Sequence, residues 1–319
     1  MKYLRIIILL NIVLSFSGCD DSFNPYTDFK EKYSLVSILR SDTTLQIAAI
    51  TKNYLVENNN GSTHKLLFEK NADIRIWHGD SVYKLRDTIL ASDDGLDSIQ
   101  YYYTQQFSIL TGKKIEIEAL LSNGKRLKGI SETPAKTEFK NTSEVIIPPI
   151  GKDVVQIYWI PPGIQNFYKA RLKMKCEFVE NGINKIFYKE LPVSISVSEG
   201  KQYAVFPKAS RDNYVVYDLD AINWYLHALS DSLSEPGKFS IHQNLVLELL
   251  TFDVELSRYI SISSSSIDNF SVRFDDGDYS NITGGLGIFG SQIKTNYLKL
   301  KFIESYIRSF KFNFIFDLK

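Results

Sequence analysis

Lys169-Ala170-Arg171-Leu172-Lys173-Met174-Lys175-Cys176-Glu177-Phe178 alternates a charged with an apolar side chain at every step. A period of two places Ala170, Leu172, Met174, Cys176 and Phe178 on one face of an extended chain and the charges on the other. On a helix the same residues would scatter around the axis, so the stretch reads as a half-buried antiparallel strand. Turn chemistry follows at Glu180-Asn181-Gly182, and Ile186-Phe187-Tyr188 and Val193-Ser194-Ile195-Ser196-Val197 continue the pattern. Upstream, Val155-Gln156-Ile157-Tyr158-Trp159 is another such run, stopped by Pro161-Pro162-Gly163.

Further toward the N-terminus lie Leu45 to Thr51, Ala72 to Trp77 and Lys114 to Ala119, all short and β-branched. Asn58-Asn59-Asn60-Gly61, His78-Gly79-Asp80, Ser92-Asp93-Asp94-Gly95 and Ser122-Asn123-Gly124-Lys125 lie between or beyond them as turns. The expected class is therefore mainly β: an N-terminal immunoglobulin-like β-sandwich over 33–134, then a second β-rich domain over 153–319 with one or two short helices. Pro134, Pro148 and Pro149 mark 135–152 as a linker. Asp220 to Leu233 reads as a helix, with Asp218 or Asp220 as N-cap and Ile222, Tyr225, Leu226 and Leu229 on one face. Leu245 to Leu256 reads as a long strand, and Ser257 to Ser266 fits either a short helix or a loop.

The first 18 residues read as a signal peptide. Lys2 and Arg5 precede an apolar run from Ile6 to Phe16, too short for the roughly 20 residues a bilayer span requires. Phe16-Ser17-Gly18-Cys19 then matches a lipoprotein signal-peptidase box, with small residues before a cysteine whose thiolate accepts the diacylglyceryl group. Residues 19–32 would form the lipid-anchored tether, and Asp20-Asp21 directly after the anchor fits a surface-export signal or a merely solvated tether. Lipidation of Cys19 leaves Cys176 as the single thiol, so no intramolecular disulfide is expected.

Composition narrows the partners. Among 319 residues, 37 Lys and Arg balance 37 Asp and Glu, which gives no electrostatic reason to expect nucleic acid. Local catalytic motifs are missing: there is no H-E-x-x-H and no G-x-S-x-G, and His64, His78, His227 and His242 do not pair at metal spacing. Gly285-Leu286-Gly287-Ile288-Phe289-Gly290 fits G-x-G-x-x-G, yet the acidic loop before it and the strand-like Lys294 to Phe302 after it deny the strand–helix context that motif requires. It reads as a structural glycine turn. Asp276 and Asp278, with Ser280, have the spacing of the first calcium-loop ligands, but no bidentate Glu follows, which leaves a weak metal candidate against a solvated turn. Trp77, Trp159 and Trp224 could form a sugar-stacking platform, although the strand positions of Trp77 and Trp159 favour core packing. No cofactor is expected.

Tyr33 to Leu39 with the turn Ser41-Asp42-Thr43-Thr44, the segment from Ala72 through Tyr83, and above all Tyr279-Ser280-Asn281-Ile282-Thr283-Gly284-Gly285-Leu286-Gly287-Ile288-Phe289-Gly290 resemble a known family. The last is similar to the N-I-x-G-G-L-G-x-F-G signature of Bacteroidota lipoproteins grouped as domain of unknown function 4249, carried here by Asn281, Gly284, Gly285, Leu286, Gly287, Phe289 and Gly290. The resemblance implies an outer-membrane lipoprotein, often associated with a TonB-dependent transporter, and carries no catalytic residues. The expected function is a non-catalytic binding or accessory subunit, lipid-anchored at the outer membrane and facing the cell surface or the periplasm. A lipid-anchored cell-surface hydrolase with an unrecognised site, or a surface adhesin, are the alternatives.

Overall fold

The computed structural model describes residues 32–52, 67–91, 98–141, 143–262 and 279–317. The mainly β class expected from the alternation is the class adopted: among these residues, strands dominate and only three α-helices and one 3-10 turn occur. The N-terminal part supplies β1 (Tyr33–Arg40), β2 (Gln46–Lys52), β3 (Leu67–Phe68), β4 (Asp73–His78), β5 (Ser81–Lys84), β6 (Arg86–Ala91), β7 (Ser98–Thr104), β8 (Lys114–Leu120) and β9 (Arg126–Glu132). Strands β1, β2, β7 and β6 lie in one sheet, and β9, β8, β4 and β5 in a second. Leu35, Leu39, Ala48 and Ile50 from the first share a core with Ile74, Ile76, Ile115, Ile117, Ala119 and Leu127 from the second, which makes this a β-sandwich.

Downstream come β10 (Glu138–Phe139), β11 (Val145–Ile147), β12 (Val154–Ile160), β13 (Tyr168–Glu180), β14 (Ile183–Glu190), β15 (Ser194–Ser198), β16 (Lys201–Val205) and β17 (Tyr214–Asp218). Helix α1 (Leu219–Ser232) follows, then β18 (Phe239–Phe252), α2 (Val254–Ile262), β19 (Ile282–Thr283), β20 (Leu286–Phe302), α3 (Glu304–Ser309) and β21 (Ile315–Asp317). The alternating stretch is β13, with Leu172, Met174 and Cys176 wholly buried. Helix α1 buries Ile222, Leu226 and Leu229, the face read from its period, and Asp218 occupies its N-cap without a side-chain bond. These residues join Val155, Ile157 and Trp159 of β12 in a second core.

One strand belongs to both cores. At ~3.3 Å per residue, the 17 residues of β20 reach roughly 55 Å. Its first half pairs in parallel with β1, from Ser34↔Leu286 to Arg40↔Gln292. On its other edge it pairs antiparallel with β18, from Phe252↔Gln292 to Asn244↔Lys301. Phe289 packs in the first core, and Tyr297, Leu300 and Phe302 in the second. A single large sheet thus runs in the order β14-β13-β18-β20-β1-β2-β7-β6. Helix α2 covers part of it, where Leu250, Phe252, Leu256, Tyr259 and Ile288 cluster with Val36 and Ile38.

This arrangement corrects three boundaries. One apolar core gives way to the next between Leu127 and Ile147, but the sheet does not divide there, and residues 282–292 are part of the first sandwich's architecture. Residues 135–152, expected as a linker, contribute β10, which pairs with β12, and β11, which pairs in parallel with Leu300–Phe302. The long strand expected over Leu245 to Leu256 is β18, shifted to Phe239–Phe252, because Asp253 caps α2 and ends it. The segment from Ser257 that fitted a helix or a loop continues α2 to Ile262.

The corner into β20 depends on a residue without a side chain. Gly287 has φ +115°, and a Cβ there would collide with the carbonyl oxygen of Leu35, the strand it pairs with. Gly182 also has positive φ (+77°) but nothing within 4 Å. Gly287→Val is therefore expected to lose well over the ~1–3 kcal/mol of backbone strain alone, while Gly182→Ala loses no more than that strain. Denaturant unfolding of the two variants checks this, and equal losses would mean that the contact with β1 does not set the requirement.

Candidate functional site

Of the residues singled out in the sequence, Phe16, Ser17, Gly18, Cys19, Asp20, Asp21, Asp276 and Asp278 lie outside the described residues. The signature residues lie within them and form the passage from the second sheet to the first. Ile282 and Thr283 pair with Gly129 and Lys128 of β9, and four residues on the chain has entered the β1 pairing. Asn281 secures the corner: its Oδ1 accepts from Phe289 N at 2.8 Å, and its Nδ2 donates to Phe289 O at 2.7 Å. The side-chain amide thereby takes the place of a neighbouring strand. Gly284 and Gly285 lie against the carbonyls of Arg126 and Tyr33, Leu286 is half-buried, and Phe289 is fully buried against Gly129. Gly284, Gly285 and Gly287 of the motif are taken up by close approach to backbone carbonyls of β9 and β1.

Gly290 ends the signature for a different reason. A Cβ there would stand 2.9 Å from Leu256 Cβ and 3.2 Å from Asp253 Oδ1. Asp253 has no exposed surface, and its carboxylate has three donors: Ser131 Oγ and Ser291 Oγ on Oδ2, each at 2.8 Å, and Leu256 N on Oδ1 at 2.8 Å. The last is an N-cap bond to the third residue of α2. One buried carboxyl thus ties β9, β20 and α2 together. Burial pushes it up to about 6, against the lowering effect of those hydrogen bonds. The sequence signal for it was an Asp before Val254-Glu255-Leu256, the form of a helix start.

The other chemically active residues have structural partners. His78 is buried, accepts from Leu110 N on Nε2 at 2.6 Å, and sets Nδ1 3.3 Å from Lys114 O, which fixes the Nδ1-protonated tautomer. His227 packs edge-on against Phe310 and Phe312. His242 lies between Glu177 (2.6 Å) and Asp317 (3.5 Å). Cys176 is wholly buried and burial pushes its thiol up to about 11, so little thiolate exists to react. Trp159 is in the second core against Tyr168, whereas Trp77 is half-buried on the outer face of β4, whose Ile74, Ile76 and His78 face inward. Among the described residues, no group of three or more His, Cys, Asp or Glu side chains could hold a metal ion.

Two polar features remain on the surface. Across the outer face of the large sheet runs an ion ribbon: Glu190–Arg171 (2.7 Å), Arg171–Glu248 (3.4 Å), Glu248–Lys173 (2.8 Å), Glu248–Lys294 (3.5 Å) and Lys294–Asp42 (3.3 Å). Burial raises the Asp42 carboxyl, but Arg40 and Lys294 outweigh it and hold it below its ordinary value. Where the ribbon ends, an open cleft of about 480 Å³ lies between the β1–β2 turn, the segment after β7, Lys136 and β20. Its lining is rich in hydroxyls and includes the Asp42 carboxylate, with Phe107, Ile109 and Ile293 as its apolar residues.

A scan against protein-family models finds no match, and a search of curated proteins finds none.

Asp253 gives a stability signature with a definite sign. Its folded value of about 6 lies above its ordinary 3.8, so the native state holds the extra proton between those values. The group's contribution is complete below pH ~4 and is lost as pH rises through ~6, a change on the order of 3 kcal/mol at about 1.4 kcal/mol per pKa unit. Asp253→Asn should remove that slope, so the stability difference between variant and wild type changes between pH 4 and 7. A constant difference across urea titrations at those pH values would show that Asp253 does not titrate there.

Proposed function

We propose that this chain is a non-catalytic lipoprotein of the bacterial outer membrane, held by an acylated Cys19 and acting as a binding or accessory subunit beside a TonB-dependent transporter. The observation that carries the reading is the register of Lys2 and Arg5, the apolar run to Phe16, and Ser17-Gly18-Cys19 at its end. Three acyl chains at ~0.8 kcal/mol per buried methylene give a firmer hold than a single chain. The signature from Asn281 to Gly290 supports the transporter association through its resemblance to the Bacteroidota lipoproteins of domain of unknown function 4249. Asp20-Asp21 supports display at the cell surface.

Exposed apolar groups favour binding over hydrolysis. Strand β14 ends the order of the large sheet, pairing with β13 alone among the described residues. It exposes Ile183 (65%), Ile186 (55%) and Tyr188 (54%). An open edge bearing large apolar side chains is a surface suited to contact with another protein. A hydrolase would need a nucleophile and a poised base, and the described histidines are engaged in holding strands and aromatic clusters.

In cells fed a fatty-acid analogue, wild type is expected to carry the label and fractionate with membranes, and Cys19→Ala to lose both properties. An unlabelled wild type would refute the anchor. Affinity purification from solubilised outer membranes is expected to recover a β-barrel transporter, and Ile186→Glu to reduce that recovery without lowering the melting temperature. Recovery of no barrel by an acylated wild type would remove the transporter association.

A further inference from the structure

We propose that the cleft beside the β1–β2 turn binds an acidic monosaccharide unit, a pyranose bearing a carboxylate, with Lys136 as the residue that reads the acid. The proposal does not rest on the lipid anchor and concerns a different surface from β14.

The walls of the cleft are fixed before any ligand arrives. Gln46 is fully buried and staples the turn from within: its Oε1 accepts from Arg40 N at 2.8 Å, and its Nε2 donates to Arg40 O at 2.9 Å and Thr43 O at 2.8 Å. Ser41 N donates to Gln292 O, and Lys294 N donates to Ser41 Oγ, so the turn is also tied to β20. The opposite wall is held by Thr133, whose Oγ donates to Leu110 O at 2.6 Å, and by the bond from Leu110 N to His78. A site whose shape is already set avoids much of the ordering cost of binding.

Its chemistry suits a sugar with one negative charge. Ser41, Thr43, Thr44, Ser108 and Thr111 line it with hydroxyls, groups that both donate and accept, as the hydroxyls of a pyranose do. Ile109, half-buried, gives the C–H side of a ring an apolar surface, with the fully buried Phe107 beneath the cleft. The volume of about 480 Å³ lies within the range of roughly 300–1,000 Å³ usual for small-molecule sites. A bare inorganic anion would leave most of that volume and most of those hydroxyls without a partner.

The two lysines differ in what they can offer. Lys294 is already shared between Asp42 and Glu248. Lys136 is exposed and forms no ion pair with a described carboxylate, so its ammonium is the cation in the cleft that can take a new one. A charge-assisted bond from Lys136 to a ring carboxylate would separate an acidic sugar from its neutral counterpart.

Ligand-observed NMR with the purified protein tests this, using sodium glucuronate, glucose and inorganic phosphate as probes. Glucuronate is expected to bind, glucose to bind at least ~10-fold more weakly, and phosphate not to displace glucuronate at equal concentration. Lys136→Gln is expected to cost glucuronate roughly tenfold or more in affinity, Lys136→Arg to restore most of it, and Lys152→Gln to change nothing. Absence of a glucuronate signal, equal binding of glucose, displacement by phosphate, or an unchanged affinity in Lys136→Gln would each overturn the proposal. Failure of the Cys19 or transporter experiments would leave it standing.

Discussion

The parallel pairing of Ser34–Arg40 with Leu286–Gln292 joins residues about 250 positions apart, and the rest of the architecture is arranged around it. Without β20, strand β1 would present an open edge in the middle of what is now the large sheet. With it, the edge is closed, Phe289 fills the first core, and the same strand continues into the second. Such a contact is intrinsically slow to form, because a long loop must close before any pair rewards it. Local devices reduce the ways in which it can form wrongly. Asn281 fixes the entry to the strand, Gly287 admits β1 at close range, and Asp253 fastens the far side through Ser131 and Ser291.

A buried carboxylate with no cation paired to it among the described residues is a costly fastener, and its three hydrogen bonds explain why the cost is borne. The two serines and the α2 backbone amide all require an acceptor, and removing Asp253 would leave three buried donors unsatisfied at once. The seam between the cores is polar elsewhere too, with Thr137 bonded to Thr251 at 2.6 Å. Polar groups on a buried seam specify one register, because a slip of one residue would strand each of them.

Elements whose information is local were legible in the sequence. The period of two in Lys169 to Phe178 and the spacing of Ile222, Leu226 and Leu229 each gave the correct face. Strand β20 was only half legible. Its second part alternates, but Leu286 to Ser291 becomes buried along both faces and is rich in glycine, so period and propensity say nothing of a strand. Its parallel partner lies at the other end of the chain, and no local pattern announces such a pairing. The proline-rich interval after Pro134 did mark where one apolar core gives way to the next, while β10 and β11, at two and three residues, were too short to show a period. Asp253, the ion ribbon and the Lys136 cleft are each assembled from distant segments. Among 37 carboxylates and 37 basic residues, nothing in the order of residues selects those that meet.

The most direct test of the shared strand is whether the N-terminal sandwich can fold without it. Residues 32–134 expressed alone should give a collapsed amide NMR spectrum. The same fragment joined through a flexible linker to residues 279–302 should give a dispersed one. A dispersed spectrum from residues 32–134 alone would contradict the account, since it would show that β1 needs neither the β20 backbone nor Phe289 to hold its sandwich together.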